Sequence, residues 1–379
     1  MANKVSFAVI GVGRMGSKHA RNLSRGRVNG ARLVGIADVD RQALQSVRSK
    51  CRGVHAFKDY RQMINTVQPQ VVVIATPHYA HVPIAEYCIA KGCHVVIEKP
   101  VAVTTAQAEH LNRLIADNPD LKIAVMYNQR TNPVYRKAKQ ILSEGKLGAV
   151  QRINFIVTDW YRSDAYYRQN SWRASYREEG GGILINQCVH QLDILQWLVG
   201  MPAAIEGKIS TKNRSITAEN DVTALLRYAD GVYCTLSASG HELHGTNRIE
   251  IAGEKGRLVL GKYSMKWISL PIAEPEFNKT TRHEYGVVSR KVYRYRYGLQ
   301  LIRDALFGQQ RNILQNMADV VRKGGDLIAP ASEGIHALGL LNGIYLSAWE
   351  GKEIPYPFPS RDYEAALSTK IAAEAKKEE

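Results

Sequence analysis

The sequence predicts an α/β protein. An N-terminal doubly wound parallel sheet of Rossmann type is followed by a second α/β domain with a large, open, mainly antiparallel sheet. Three observations carry this prediction. Short apolar runs of buried-strand type alternate with helical patterns through the first third of the chain. The first of these runs leads straight into Gly11-Val-Gly-Arg-Met-Gly16. From Ala203 to Val259 the pattern changes to alternating strands joined by glycine turns.

Val5-Ser-Phe-Ala-Val-Ile10 reads as the first buried strand, and a helical pattern from Lys18 to Leu23 follows the glycines. Strand, glycine turn and helix in that order form a dinucleotide fingerprint. Gly11 permits the tight turn, Gly13 lets the backbone approach a pyrophosphate, and Gly16 lets helix and strand pack closely. Arg14 and Met15 sit where the helix N-terminus offers free N–H groups to the phosphates. The second strand, Arg32 to Ala37, ends at Asp38. A carboxylate there accepts hydrogen bonds from the ribose hydroxyls and repels a 2′-phosphate, so NAD is favoured over NADP, with nearby Arg41 tempering the preference. Asp38 also has the chemistry of a helix N-cap.

The alternation continues. A strand near Val54 to Phe57 precedes a helix from Asp59, and Val71 to Ala75 is a buried parallel strand. Thr76-Pro-His-Tyr-Ala-His81 is the loop after it, with a helix from Val82 to Ala90. His94 to Ile97 is the next strand, a helix starts at Thr105, and Lys122 to Met126 is the last strand. Ligands of such sheets sit outside the carboxyl ends of the strands. Gly13, Asp38, Thr76, Pro77, His81, Glu98 and Lys99 all fall at those ends and are expected around one cleft.

Bulk composition narrows the classes. Hydrophobic residues make up 45% of the 379 and charged residues 23%, which suits a soluble globular chain with room for two domains. No apolar run reaches membrane-spanning length, and the N-terminus enters a strand pattern without signal-peptide architecture. Five scattered cysteines form neither a disulfide framework nor a paired zinc site, so a reducing cytoplasm is expected. The net charge of +16 is spread along the chain, apart from a basic run at Arg282 to Arg303 and the tail Lys376-Lys377. No nucleic-acid motif accompanies it, so a solvated surface is expected, with neither nucleic acid nor membrane as partner.

In the second half, Arg130 to Glu144 reads as a helix and Val150 to Thr158 as a strand. Residues 159–173 are rich in aromatics and arginines. Ring faces stack on sugar C–H faces and guanidinium forks hold hydroxyls. Trp160, Tyr161, Arg162 and Trp172 are therefore candidate substrate contacts, with Tyr127 beside them; the same composition also suits a subunit contact. Gly180-Gly-Gly182 precedes an apolar helix that carries Asn186, His190 and Asp193. The strands from Ala203 to Val259 read as a meander whose open sheet favours homo-oligomers. His241-Glu-Leu-His244 offers two imidazoles and an acid in a loop, too few to assign a metal. Arg282 to Arg303 reads as a lid or subunit contact, Ser332 to Trp349 as a helix, and Ala365 to Glu379 as a charged helix or tail without chemistry. The division expected is 1–125 for the nucleotide domain, 126–360 for the substrate and oligomerisation domain, and 361–379 for the tail.

With Glu98-Lys-Pro100 after a Rossmann half, and Gly180-Gly-Gly182 leading to His190 and Asp193, nearly the whole chain resembles the Gfo/Idh/MocA oxidoreductases, which include glucose–fructose oxidoreductase and inositol dehydrogenase. The resemblance implies an NAD(P)-dependent enzyme acting on a secondary carbinol of a sugar, cyclitol or glycoside. It implies that Lys99 contacts substrate hydroxyl and nicotinamide ribose, that His190 is the active-site histidine, and that His81 lies near the cofactor. Asn186 stands where many inositol dehydrogenase-like members have Asp; an amide takes no proton, but it still binds a hydroxyl or orients His190. Lys99 and His190 are expected to meet over a bound sugar, and the aromatic segment favours a glycoside oxidised at ring C3. An inositol dehydrogenase, a glycosidase that uses NAD for transient oxidation, and a non-catalytic NAD-binding regulator remain as alternatives.

Overall fold

The computed structural model describes residues 4–169 and 172–378. Met1 to Asn3, Glu379, and Asn170 and Ser171 of the aromatic segment lie outside the described residues. Two compact units are formed. One runs through Thr131 and takes in Glu178–Gly180 and Leu306–Leu338; the other comprises Asn132–Arg177, Gly181–Ala305 and Gly339 onward.

The first unit is built on β1 (Val5–Ile10), β2 (Ala31–Ala37), β3 (His55–Phe57), β4 (Val71–Ile74), β5 (His94–Ile97) and β6 (Ile123–Val125). They form one parallel sheet in the order β3-β2-β1-β4-β5-β6. Every residue of β1 and β4 is buried, as strands covered on both faces require. The order reverses direction between β1 and β4, the topological switch point where such sheets take ligands. Helix α1 (Arg14–Ser24) follows β1 with Gly13 as N-cap and no side-chain cap. Helix α2 (Arg41–Arg48) is capped by Asp40, whose carboxylate accepts from Gln42 and Ala43 N–H, and not by Asp38. Residues far along the chain complete this unit: the N–H of Val125 donates to Ala329 O, and Asn128 Nδ2 donates to Gln309 Oε1.

The second unit carries β7 (Val150–Val157), β8 (Ala204–Ser210), β9 (Asp221–Arg227), β10 (Tyr233–Ser239), β11 (Asn247–Gly253), β12 (Gly256–Leu260), β13 (Ser264–Ser269), β14 (Lys291–Arg296) and the short β15 (Ile354–Pro355). Their order is β14-β13-β12-β11-β7-β10-β9-β8-β15. The expected meander is interrupted. β7 inserts between β10 and β11, parallel to the former and antiparallel to the latter. The chain after β10 therefore crosses β7 before it pairs, a long-range choice that alternation alone does not encode. One sheet face is apolar and buried, with Phe155, Leu226, Leu236, Ile251 and Leu258 each at most 1% exposed. The helix Gly334–Glu350 approaches β8 closely because Gly207 has no side chain; a Cβ there would lie 2.6 Å from Ile344 O. The basic run at 282–303, expected as a lid or subunit contact, supplies the edge strand β14. Among the described residues no helix is long and apolar enough to cross a membrane.

Candidate functional site

The first constellation lies at the carboxyl ends of the parallel strands. Gly11 has φ +79°, and a Cβ on it would lie 2.5 Å from Ala75 O; a Cβ on Gly16 would lie 1.7 Å from Gly11 O. Both positions are closed to larger residues by the turn itself. Gly13 differs: it is exposed, and a Cβ there would meet no protein atom within 4 Å. The space in front of it is open for a ligand, and the uncapped start of α1 points N–H groups at that space. Arg14 is exposed and Met15 half-buried beside it. Asp38 accepts the Val12 N–H through Oδ2 at 2.6 Å and the Asp40 N–H through Oδ1 at 2.9 Å. Its carboxylate is thus fixed against the glycine turn. Val39 next to it is 87% exposed, an apolar surface at the end of β2. A hollow of about 190 Å³ is lined by Val12, Gly13, Arg14 and Ser17 on one side and by Ser46 and Lys50 on the other. Thr76 Oγ1 is buried without a hydrogen-bond partner among the described residues. These features fit a bound dinucleotide.

Glu98 and Lys99 follow β5. The Glu98 carboxylate points inward, where His19 Nε2 of α1 meets Oε1 at 2.6 Å and the Lys99 N–H donates to Oε2 at 3.2 Å. His19 and Glu98 are both buried. The pair ties the lysine's loop to the glycine helix, leaving Lys99 half-buried at the strand end. The Lys99–Pro100 peptide is cis. His81 is fully buried, with Nδ1 2.8 Å from Pro100 O and Nε2 2.9 Å from Thr76 O. Burial, the dominant effect, holds its pKa below the usual histidine value. The neutral ring has a single N–H and donates it to one of these two carbonyls, so the imidazole sits between the loops after β4 and β5. Pro77 is exposed on the same loop. Tyr127, expected among the substrate contacts, is fully buried, with the Arg130 guanidinium over its ring.

The second constellation belongs to the other unit. Gly181-Gly182 enters a π turn, Leu184–Cys188, which continues as the α-helix Val189–Val199. Between 181 and 190, Asn186 and His190 are the two positions that are half-buried, the rest being buried. The π turn shifts the helix phase by about one residue between the glycines and the histidine, and such bulges recur at functional sites. Asp193 is buried and accepts from Gln196 Nε2 at 2.9 Å. Glu219, which sequence reasoning missed, governs the entry to this helix. Its Oε1 accepts the Leu184 N–H at 3.0 Å and the Tyr345 hydroxyl at 2.8 Å, and its Oε2 accepts the Gly182 N–H at 3.1 Å. Burial pushes its pKa up to about 7 despite these hydrogen bonds.

The aromatic segment folds as alternating rings and cations. Arg162 lies over Trp160 and Tyr166, Arg173 lies over Tyr166 and Trp172, and Arg214 lies over Tyr161. Gln187 Nε2 of the π turn donates to Tyr166 Oη at 3.3 Å, joining this stack to the helix that bears His190. Trp160 Nε1 is buried without a hydrogen-bond partner among the described residues. In the loop His241–His244, His241 Nε2 lies 3.1 Å from Asp221 Oδ1. No group of three or more His, Cys, Asp or Glu residues able to hold a metal occurs among the described residues.

Comparison with known proteins places the chain in a family. Residues 5–127 match the model of the oxidoreductase family NAD-binding Rossmann fold, and residues 135–259 match the GFO/IDH/MocA C-terminal domain. Inositol 2-dehydrogenase of Rhizobium meliloti is 22% identical over 361 residues, covering 92% of this chain and 98% of that one. Levoglucosan dehydrogenase of Pseudarthrobacter phenanthrenivorans is 26% identical over 232 residues, covering 54% and 58%. The crystal structure of the WlbA dehydrogenase from Bordetella pertussis, in complex with NADH and UDP-GlcNAcA, shares the fold with a TM-score of 0.77 at 24% identity, covering 94% of this chain and all of that one. With both halves matched, the chain belongs to the Gfo/Idh/MocA family of NAD-binding oxidoreductases.

Proposed function

We propose that this oxidoreductase transfers hydride between a secondary hydroxyl of a sugar or glycoside, at ring C3, and the nicotinamide of NAD. The observation that carries the reading is Lys99, held half-buried at the end of β5 by the buried Glu98–His19 pair, in the NAD-binding unit of such a family. Gly11, Gly13, Arg14, Met15, Gly16 and Asp38 would hold NAD, with Thr76, Pro77 and Glu98 along the same strand ends and His81 between the loops. NAD, when bound, supplies the hydride acceptor. Lys99 holds the carbinol oxygen and helps carry its proton. His190 takes that proton as base, and Asn186 binds a neighbouring hydroxyl. Trp160, Tyr161, Arg162 and Trp172 offer ring faces and a guanidinium fork to a glycoside. Tyr127 belongs to the same proposal as a substrate contact of the nucleotide unit, although its side chain is buried.

The relatives named inositol 2-dehydrogenase and levoglucosan dehydrogenase support a polyol carbinol and keep a cyclitol as second reading. Incubation with NAD and a panel of monosaccharides, inositols and aryl glucosides, followed by nicotinamide absorbance, tests both. Net reduction with a glycoside or sugar supports the proposal, and net reduction with inositols alone selects the cyclitol. Glycoside cleavage without net reduction selects a glycosidase that uses NAD transiently. NAD binding without turnover of any polyol selects a regulator.

Homo-oligomerisation through the second unit's sheet belongs to the same proposal. Ile156, Leu225 and Tyr233, on neighbouring strands β7, β9 and β10, are 38%, 38% and 46% exposed on its outer face. Five free, buried cysteines suit a reducing cytoplasm.

A further inference from the structure

The outer face of the second unit's sheet changes character along its width. The exposed apolar residues lie on β7, β9 and β10, whereas β11 to β14 carry positive charge. Lys266 pairs across the strands with Val259 on one side and Arg294 on the other, and Ser264 pairs with Arg296. With Arg248 and Arg257 these cations line a groove of about 500 Å³. Glu250 supplies the counter-charge, 2.6 Å from Arg248 and 2.8 Å from Arg257. Its partial burial opposes ionisation, but the hydrogen bond from Arg248 and the charges of Arg257 and Arg248 outweigh that and hold its pKa below the usual glutamate value. Lys266, Arg294 and Arg296 make no ion pair among the described residues. Five cations therefore converge on a concavity that holds one carboxylate.

We propose that this groove is a binding site for a small molecule bearing a diphosphate group. Guanidinium forks match phosphate oxygens two at a time, and an ammonium between them adds a point charge. The volume falls within the roughly 300–1,000 Å³ typical of small-molecule sites. Concave surfaces of one sign concentrate potential and draw counter-ions. A two-fold contact between copies centred here would set the same cations against each other, which like-charge repulsion opposes. The basic run at 282–303 thereby acquires a role: β14 brings Arg294 and Arg296 to the far bank of the groove. This inference is independent of the redox reading.

The test is calorimetric titration of full-length protein, saturated with NADH to fill the nucleotide site, with inorganic pyrophosphate and separately with guanosine diphosphate. One saturable site per chain is expected, weakening with added salt. Affinity should fall about tenfold or more in Lys266→Glu and in Arg294→Glu, the loss of one charge-assisted contact, with melting temperature and oligomer mass unchanged. Tighter binding of guanosine diphosphate assigns a nucleotide source; equal binding assigns a free condensed phosphate. Absence of saturable binding, or binding untouched by both substitutions, overturns the proposal. So does a changed oligomer mass in the variants, which would make the groove a contact between copies, or preferential binding of duplex DNA lost in the same variants.

Discussion

Tyr345 donates a 2.8 Å hydrogen bond to Glu219, and the same buried carboxylate accepts the N–H groups of Gly182 and Leu184 at the entry to the His190 helix. Tyr345 stacks in turn on Trp349, and Trp349 on Tyr363. A carboxylate without a cation partner among the described residues is thus enclosed by an aromatic hydroxyl and backbone donors. It fixes where the helix of the candidate site begins.

Glu219 makes stability depend on pH in a definite direction. Its pKa rises from 4.5 to about 7 on folding because burial disfavours the charge. The folded protein holds the proton more tightly, so the stabilisation is complete below the unfolded value and is lost as pH rises through the folded value. The loss should be on the order of 3 kcal/mol. Urea unfolding of wild type and Glu219→Gln across that window should show this slope in the wild type only; parallel profiles would refute the assignment.

The glycines separate fold from cofactor. A Cβ on Gly181, where φ is +147°, would lie 2.1 Å from Tyr345 Oη, and one on Gly182 would lie 1.9 Å from Glu219 O. Gly181→Ala and Gly182→Ala are predicted to destabilise by about 2–4 kcal/mol. Gly13→Ala meets no protein atom. It should leave the melting temperature nearly unchanged and weaken NAD binding about tenfold or more. Thermal melts with NAD titrations decide, and unaltered NAD affinity in Gly13→Ala would remove the glycine turn from the cofactor site.

Asp38 should set the choice of dinucleotide. Two backbone N–H groups hold its carboxylate at the end of β2, where a ribose 2′-phosphate would meet a like charge. Asp38→Ser is predicted to weaken NAD about tenfold and to improve NADP by a similar factor, since one charged contact is lost and one repulsion relieved. Parallel titrations measure both. A variant that keeps its original preference would place selectivity elsewhere.

Lys99 and His190 are predicted to serve one proton-transfer step. Lys99→Ala and His190→Ala should each lower kcat by about 10²–10⁴. The double variant should cost little more than the worse single one, because groups that act as a unit are not additive. Additive losses would show that the two act in separate steps. NAD affinity within about threefold of wild type in His190→Ala would localise that effect to chemistry.

What the sequence determined by itself was local in origin. The buried strands and helices of the first unit, the glycine turn, Asp38 at a strand end and Lys99 at another follow from periodicity and backbone demands spanning a few residues. The family resemblance added roles to those positions. Tertiary structure decided which side chains hold them. Glu219 and Tyr345 reach Gly182 from 37 and 163 residues away, and His19 reaches Glu98 from 79. It also set His81 between two loops, placed Asp40 instead of Asp38 as the helix cap, put β7 between β10 and β11, and gathered scattered arginines along one groove. Burial and pairing across such separations depend on which surfaces the folded chain brings together, and no short stretch of residues carries that information.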